Sequence, residues 1–158
     1  MRTHAFLIGC LAGFSTASSY ALDYPHSPRM GATVIKIDNI DSSKASAIGQ
    51  VMRPDAEEYC NRDPNGDRRA AGSQQKCVNE LLKDLGGRQY FATANCTQKK
   101  VTTRNETYVV KKTIKGPESD GNDFLWANAR TGEILGSSNA DGTPTIERIF
   151  LMLCPKFR

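Results

Sequence analysis

Six carboxylates are the side chains of this sequence whose type could support catalysis. A pair of acids can hydrolyse a glycosidic polymer by general acid and base chemistry, and that reaction needs no histidine. Most of these acids are expected in a first helical turn, on a polar helix face or beside a turn, where carboxylates are usually solvated. A small cell-envelope hydrolase that uses paired carboxylates is therefore the alternative function. The six acids are Glu57, Glu58, Glu80, Asp84, Asp123 and Glu133.

Chemistry that depends on histidine or on a bound phosphate has little support. Outside residues 1–21, His26 is the sole histidine, and it lies between Pro25 and Pro28 in a stretch expected to be flexible. A histidine-activated nucleophile or a histidine-ligated metal would therefore lack its partners. The glycine pair at 86–87 lacks the lysine pattern of a phosphate-binding loop. We predict no cofactor.

Residues 61–72 resemble the start of a calcium-binding loop but do not complete it. Asn61, Asp63, Asn65 and Gly66 match positions 1, 3, 5 and 6 of the EF-hand loop. The last position falls on Gly72, where the EF-hand requires a bidentate glutamate, and an arginine pair adds positive charge inside the loop. The segment is therefore interpreted as a polar turn, and no metal site is predicted.

The cysteines outside residues 1–21 form an even set, Cys60, Cys77, Cys96 and Cys154. In an exported chain such a set indicates two disulfides, for which three connectivities are possible. A four-cysteine zinc site is excluded because no C-x-x-C pair occurs. We predict Cys60–Cys77, which flank one loop between two short helices, and Cys96–Cys154, which would join a strand to the terminal helix.

Paired basic residues provide the candidate binding surface. If a hairpin turns near Asn105, Lys100 and Lys111 lie close together on the face opposite Val101, and Arg68 or Arg69 would join them if their loop folds over that face. Such a surface suits another protein or an envelope polymer as partner. Nucleic acid is not expected, because the lysines are not interleaved with exposed aromatic residues.

The N-terminal residues 1–21 have the layout of a cleavable signal peptide. A short basic start precedes the apolar run Ala5–Phe14, and small residues at Ser19 and Ala21 stand where signal peptidase reads them. The run is about half the length of a membrane span of about 20 residues, so no transmembrane anchor is expected. Cys10 lies in a sequence similar to a lipobox, which leaves lipidation as an alternative. A periplasmic or secreted location follows.

The rest of the chain is expected to divide into a flexible N-terminal arm at 22–47 and a single domain at 48–158. The arm has room for one edge strand at 32–37. In the domain, apolar residues at helical spacing predict turns near 48–60, a helix at 73–85 and a C-terminal helix from Thr143 to Cys154. Alternation of two residues from Gln89 onward predicts hairpins with turns near Asn105 and Thr131.

This order of elements predicts the α+β class: short helices, then a four- or five-stranded antiparallel sheet, then one helix, stabilised by disulfides. Because no residue pattern completes a catalytic, metal or phosphate site, surface complementarity is the simplest remaining mechanism. We therefore expect a soluble, exported binding or inhibitory module that is not an enzyme.

Overall fold

The computed structural model of the chain describes residues 23–25, 30–62, 74–114, 123–136 and 143–158. The predicted signal peptide, Cys10 and His26 lie outside these residues. The described elements, in chain order, are β1 (Asp23–Pro25), β2 (Gly31–Asp38), β3 (Ala45–Gln50), α1 (Arg53–Arg62), α2 (Gln74–Leu85), β4 (Gln89–Asn95), β5 (Lys100–Thr103), β6 (Glu106–Thr113), β7 (Phe124–Asn128), α3 (Thr143–Leu153) and a 3₁₀ turn (Pro155–Phe157).

The strands form one antiparallel sheet in which each pairs with its neighbour in sequence, from β1 to β7. The helices α1 and α2 lie in sequence between the paired strands β3 and β4. They therefore form the connection between these strands at one end of the pair. Arg104 and Asn105, both with positive φ, make the two-residue turn between β5 and β6, as twisted hairpins require. The predicted α+β class with an antiparallel sheet is therefore confirmed.

The predicted order and number of strands are wrong in detail. Within the described residues the sheet has seven strands rather than four or five, and β1, β2 and β3 precede α1. The described part of 22–47, which the sequence led us to expect as an arm, supplies β1, β2 and the first half of β3. Ile48, which was read as part of a helical turn, lies in β3. The later segment around Ile134 makes a single bridge to Ala127 rather than a full strand.

Helix α3 covers one face of the sheet, which we call the core face. It contacts β1, β3, β4 and β5, and its largest buried side chains are Ile149, Phe150 and Leu153. The strands beneath present small buried residues, including Ala47 and Ala92. Small side chains let the helix approach closely, while the bulky helix residues fill the space to the density of a packed interior.

An aromatic cluster anchors the β7 side of this core. The rings of Phe124, Trp126 and Phe150 lie 5.3–6.1 Å apart, centroid to centroid, in edge-to-face arrangements. Edge-to-face packing is favourable because the positive rim of one ring meets the negative face of the next. Trp126 and Phe150 are fully buried, so the cluster fixes the end of α3 against β7.

The helices α1 and α2 form a small second core. Ala56 and Cys60 of α1 pack against Cys77, Val78 and Leu81 of α2, and half-buried residues at 59 and 85 join this core to the first. The local disulfide Cys60–Cys77 links the two helices.

A second disulfide, Cys96–Cys154, links the end of β4 to the end of α3. We call it the long-range disulfide, because its cysteines are 58 residues apart whereas those of the local disulfide are 17 apart. Both predicted pairings are thereby confirmed. Each disulfide joins a helix end to the element on which it packs.

Candidate functional site

The face of the sheet opposite α3, which we call the outer face, is the candidate site. The strand register shows which residues lie on this face. Side chains alternate between the two faces along a strand, and paired residues lie on the same face. Its residues are half-buried or exposed. On the four central strands they are Ser46, Ile48, Gln50, Gln89, Phe91, Thr93, Asn95, Lys100, Thr102, Thr107 and Val109.

An apolar patch occupies the outer face where β2, β3 and β4 meet. Phe91 lies in β4, the middle strand, and is 58 % exposed. It pairs with Ile48 of β3, which in turn pairs with Lys36 of β2. The register shifts between Val34 and Lys36, and the extra residue of this bulge, Ile35, is 40 % exposed. We call Phe91, Ile48 and Ile35 the apolar patch.

A row of hydroxyl side chains runs beside the apolar patch. Ser46 pairs with Thr93, Thr93 with Thr102, and Thr102 with Thr107, so the row crosses four adjacent strands. The hydroxyls of Thr102 and Thr107 share a hydrogen bond of 2.8 Å. Strands lie about 4.8 Å apart, so the row presents hydroxyls at nearly regular spacing. It separates the apolar patch from the basic part of the face.

Three lysines make the β5–β6 side of the outer face basic. Lys100 pairs with Val109, so it shares this face with Thr102 and Thr107 as the sequence predicts. Lys111 is the extra residue of a second bulge, and Lys112 pairs with Leu125 beyond it. Lys111 and Lys112 are exposed, and none of the three lysines forms an ion pair with a described residue. We call Lys100, Lys111 and Lys112 the lysine group.

Of the four basic residues predicted to bind a partner, the structure describes two, Lys100 and Lys111. Lys100 and Lys111 lie on the same side of one hairpin, with Lys111 two residues past the partner of Lys100. Arg68 and Arg69, together with most of the loop that resembles an EF-hand, lie outside the described residues. The sequence analysis did not assign Lys112 or Phe91 to a site. The alternation in β4 sets Phe91 apart from the buried alanines, and that pattern was a usable signal for it.

The six acids considered for hydrolysis are distributed over the two helices α1 and α2 and the two ends of β7. Glu57 and Glu58 of α1 pair with Arg53 and Arg62, one helical turn away in each case. Glu80 and Asp84 lie on α2, Asp123 directly precedes β7 and Glu133 follows it in an exposed turn. Ion pairing along an exposed helix is a common structural use of such acids.

A seventh acid, Glu147 of α3, is the buried carboxylate that the sequence analysis missed. It is 5 % exposed and accepts hydrogen bonds from the backbone N–H of Asp123 (2.6 Å) and Phe124 (3.1 Å) and from Trp126 Nε1 (3.2 Å). A buried carboxylate is tolerated when donors surround it. Here all the recorded bonds run to the start of β7, so Glu147 attaches α3 to that strand.

Tyr108 carries the one resolved pKa shift among the described groups. The pKa of its phenol is raised from 10.0 to about 12, chiefly by burial and additionally by the hydrogen bond to Glu106 and the charge of that carboxylate, while Arg104 acts to lower it. Tyr108 donates that bond from its hydroxyl. The phenol therefore stays neutral well above physiological pH, and the group acts as a structural donor on the core side of β6.

Within the described ranges, no three His, Cys, Asp or Glu side chains group closely enough to hold a metal ion. No helix in the same ranges has the length and hydropathy to span a bilayer.

Comparison with protein-family models, with curated proteins and with solved structures found no significant match.

Proposed function

We propose that this chain is an exported binding or inhibitory module that is not an enzyme, and that it engages its partner through the outer face of the sheet. The observation that carries the proposal is Phe91, a phenylalanine 58 % exposed on the middle strand of the sheet. Burying such a side chain is worth about 1.5–3 kcal/mol. A partner that covers Phe91 recovers the share of this energy that belongs to its exposed 58 %, and binding hot spots are typically such central aromatic residues.

The neighbours of Phe91 support the same surface. Ile48 and Ile35 extend the apolar area, and polar residues such as Gln50 and Thr93 border it. An apolar centre with a polar rim is the usual composition of a protein contact surface.

The two outermost strands, β1 and β7, are less suited to binding by strand addition. Strand β1 has three residues, and the backbone of β7 is bonded to the segment after it through Asn128 N–H to Glu133 O and Leu135 N–H to Trp126 O, both 2.9 Å. Short or covered edges disfavour the addition of a further strand. The face is therefore the better candidate for contact.

Location outside the cytoplasm is part of the proposal. The two disulfides support it, because such bonds persist in oxidising compartments. The signal-like pattern of residues 1–21 agrees with it and identifies 22–158 as the chain to be tested.

The test is affinity capture with oxidised 22–158 from envelope extract of the cells that export it, followed by mass spectrometry. Phe91→Ser removes the centre of the apolar patch. Ile40→Ser is the matched control, because Ile40 is an exposed isoleucine (47 %) in the turn between β2 and β3, outside the outer face. We expect one or more partners to bind the unchanged chain and the control and to be lost with Phe91→Ser.

Two outcomes would contradict the proposal. Equal capture of the partner by the Phe91→Ser variant would show that the contact does not depend on the outer face. Turnover of an envelope polymer that is abolished by Asp123→Asn or Glu57→Gln would replace the binding module by the paired-carboxylate hydrolase.

A further inference from the structure

We infer, building on the function proposed above, that the partner is a protein whose contact surface carries carboxylates beside a large apolar side chain. The inference comes from the division of the outer face into two parts. The apolar patch lies on β2–β4 and the lysine group on β5–β6, with the hydroxyl row between them. A complementary surface must offer an apolar group to the first part and negative charge to the second.

The charge of the face favours an acidic partner. On β2, Lys36 is neutralised by Asp38 at 3.0 Å. Lys100, Lys111 and Lys112 have no such acid among the described residues. Among the described residues, the β5–β6 side therefore carries positive charge that no ion pair neutralises.

A second copy of this chain fits the face poorly. In a two-fold symmetric dimer the same patch lies on both sides of the contact. In a two-fold stack of outer faces, each lysine group would face either the other lysine group, where like charges are costly, or the partner's apolar patch, and neither surface offers carboxylates. The observations therefore favour a different protein over self-association.

The apolar patch favours a protein over a polyanionic glycan or nucleic acid. A sugar ring could stack on Phe91, but its hydroxyls would then cover Ile48 and Ile35, which offer no hydrogen bonds in return. Single-stranded nucleic acid binds by stacking successive bases on several aromatic rings. On the outer face of the four central strands β3–β6, Phe91 is the one aromatic residue.

The experiment uses a phage library of random peptides as the probe, selected on oxidised 22–158 and counter-selected on the support without protein. The selected peptides are synthesised, and their dissociation constants are measured by fluorescence anisotropy at low and physiological salt. We expect sequences enriched in Asp and Glu together with at least one large apolar residue. Heparin, an acidic glycan without apolar side chains, is measured in parallel.

The variants separate the two parts of the face. Phe91→Ser should weaken peptide binding at least about tenfold with little change in its salt dependence. The pair Lys100→Glu and Lys112→Glu should slow association and remove most of the salt dependence. Lys83→Glu, an equivalent charge reversal at an exposed residue of α2, should leave binding within about twofold. Circular dichroism of each variant verifies that it is folded.

Three results would overturn the inference. The selected peptides could show no enrichment in Asp and Glu, or their binding could be unaffected by both the Phe91 and the lysine variants. Heparin could also bind more tightly than any peptide and do so equally well to the Phe91→Ser variant. The proposed function is judged separately, by capture of the natural partner with and without Phe91. Failure of the peptide experiment alone therefore rejects the acidic protein and leaves the binding module standing.

Discussion

Replacement of Glu147 tests whether a buried carboxylate holds α3 to β7. Oε1 accepts the Asp123 N–H, and Oε2 accepts the N–H of Phe124 and the indole N–H of Trp126. In Glu147→Gln the amide oxygen can keep the two bonds at Oε2, but the amide NH₂ then faces the Asp123 N–H. Losing one charge-assisted bond in a buried site costs about 1.5–3 kcal/mol, and the remaining two weaken. We expect Glu147→Gln to lower the free energy of unfolding by about 2–4 kcal/mol.

The apolar replacement Glu147→Met gives the sharper result. It fills a similar volume but leaves three buried donors without an acceptor, each at about 1–3 kcal/mol. The expected loss is about 4 kcal/mol or more, measured by urea unfolding with the fluorescence of Trp126, the sole tryptophan. Glu133→Gln, the same chemical change at an exposed acid, should stay within about 0.5 kcal/mol. If Glu147→Met were as stable as the unchanged chain, desolvation of the carboxylate would outweigh its bonds and the reasoning would be refuted.

Three further predictions concern stability. Replacing Cys96 and Cys154 by Ala should lower the free energy of unfolding by about 4 kcal/mol in the chain-entropy model, against about 3 kcal/mol for the local disulfide. The difference arises because the long-range disulfide closes a longer loop (58 against 17 residues). Equal losses of stability in urea unfolding would contradict this explanation. Ala47→Leu should cost about 1–3 kcal/mol by overfilling the space beneath α3, and an unchanged melting temperature would show that the helix does not pack closely there. Because the folded pKa of Tyr108 is raised from 10.0 to about 12, its contribution to stability is complete below pH 10 and is lost as pH rises to 12. Tyr108→Phe should reduce that loss, which is measured as the difference between the free energies of unfolding at pH 9 and pH 11. A pKa of about 10 for Tyr108 in the unchanged protein, measured by NMR, would contradict the prediction.

The sequence predicted the elements whose buried residues are large. In α2, Val78 and Leu81 at helical spacing, and the glycine pair that follows, define the helix and its end, where Gly87 adopts φ +77°. In α3 the stripe of Ile149, Phe150 and Leu153 is fully buried as the spacing indicates. Both disulfide pairings followed from placing the cysteines on these faces.

Strand β3 could not be predicted from hydrophobic periodicity, and β2 was predicted only as an edge strand at 32–37 in a flexible arm, whereas it is paired on both sides. The buried side of β3 consists of Ala45, Ala47 and Gly49, while Ile48 points to the outer face, so the apolar signal lies on the wrong side. In β2 the bulge at Ile35 interrupts the alternation. The small residues are required because α3 lies above them, which is information from the far end of the chain.

The candidate site was predictable only within one hairpin. The alternation of β5 and β6 placed Lys100, Thr102 and Thr107 on one face, as the structure has them. The joining of Phe91 to Ile48 depends on β3 pairing with β4 across both α1 and α2, a contact that local pattern does not reveal. Glu147 was missed because the sequence of α3 does not show whether an acid in that helix is buried or solvated. Its burial depends on the hydrogen-bond donors of Phe124 and Trp126, which belong to β7.

The central claim, binding through the outer face without turnover, is tested most directly by NMR of isotope-labelled 22–158 mixed with its captured partner. The account predicts that the amide signals of Ile48, Phe91, Thr93, Thr102 and Lys100 shift or broaden while those of α2 do not, and that mass spectrometry recovers the partner chemically unchanged. Perturbation confined to the α1–α2 helices, or recovery of a cleaved partner, would contradict it.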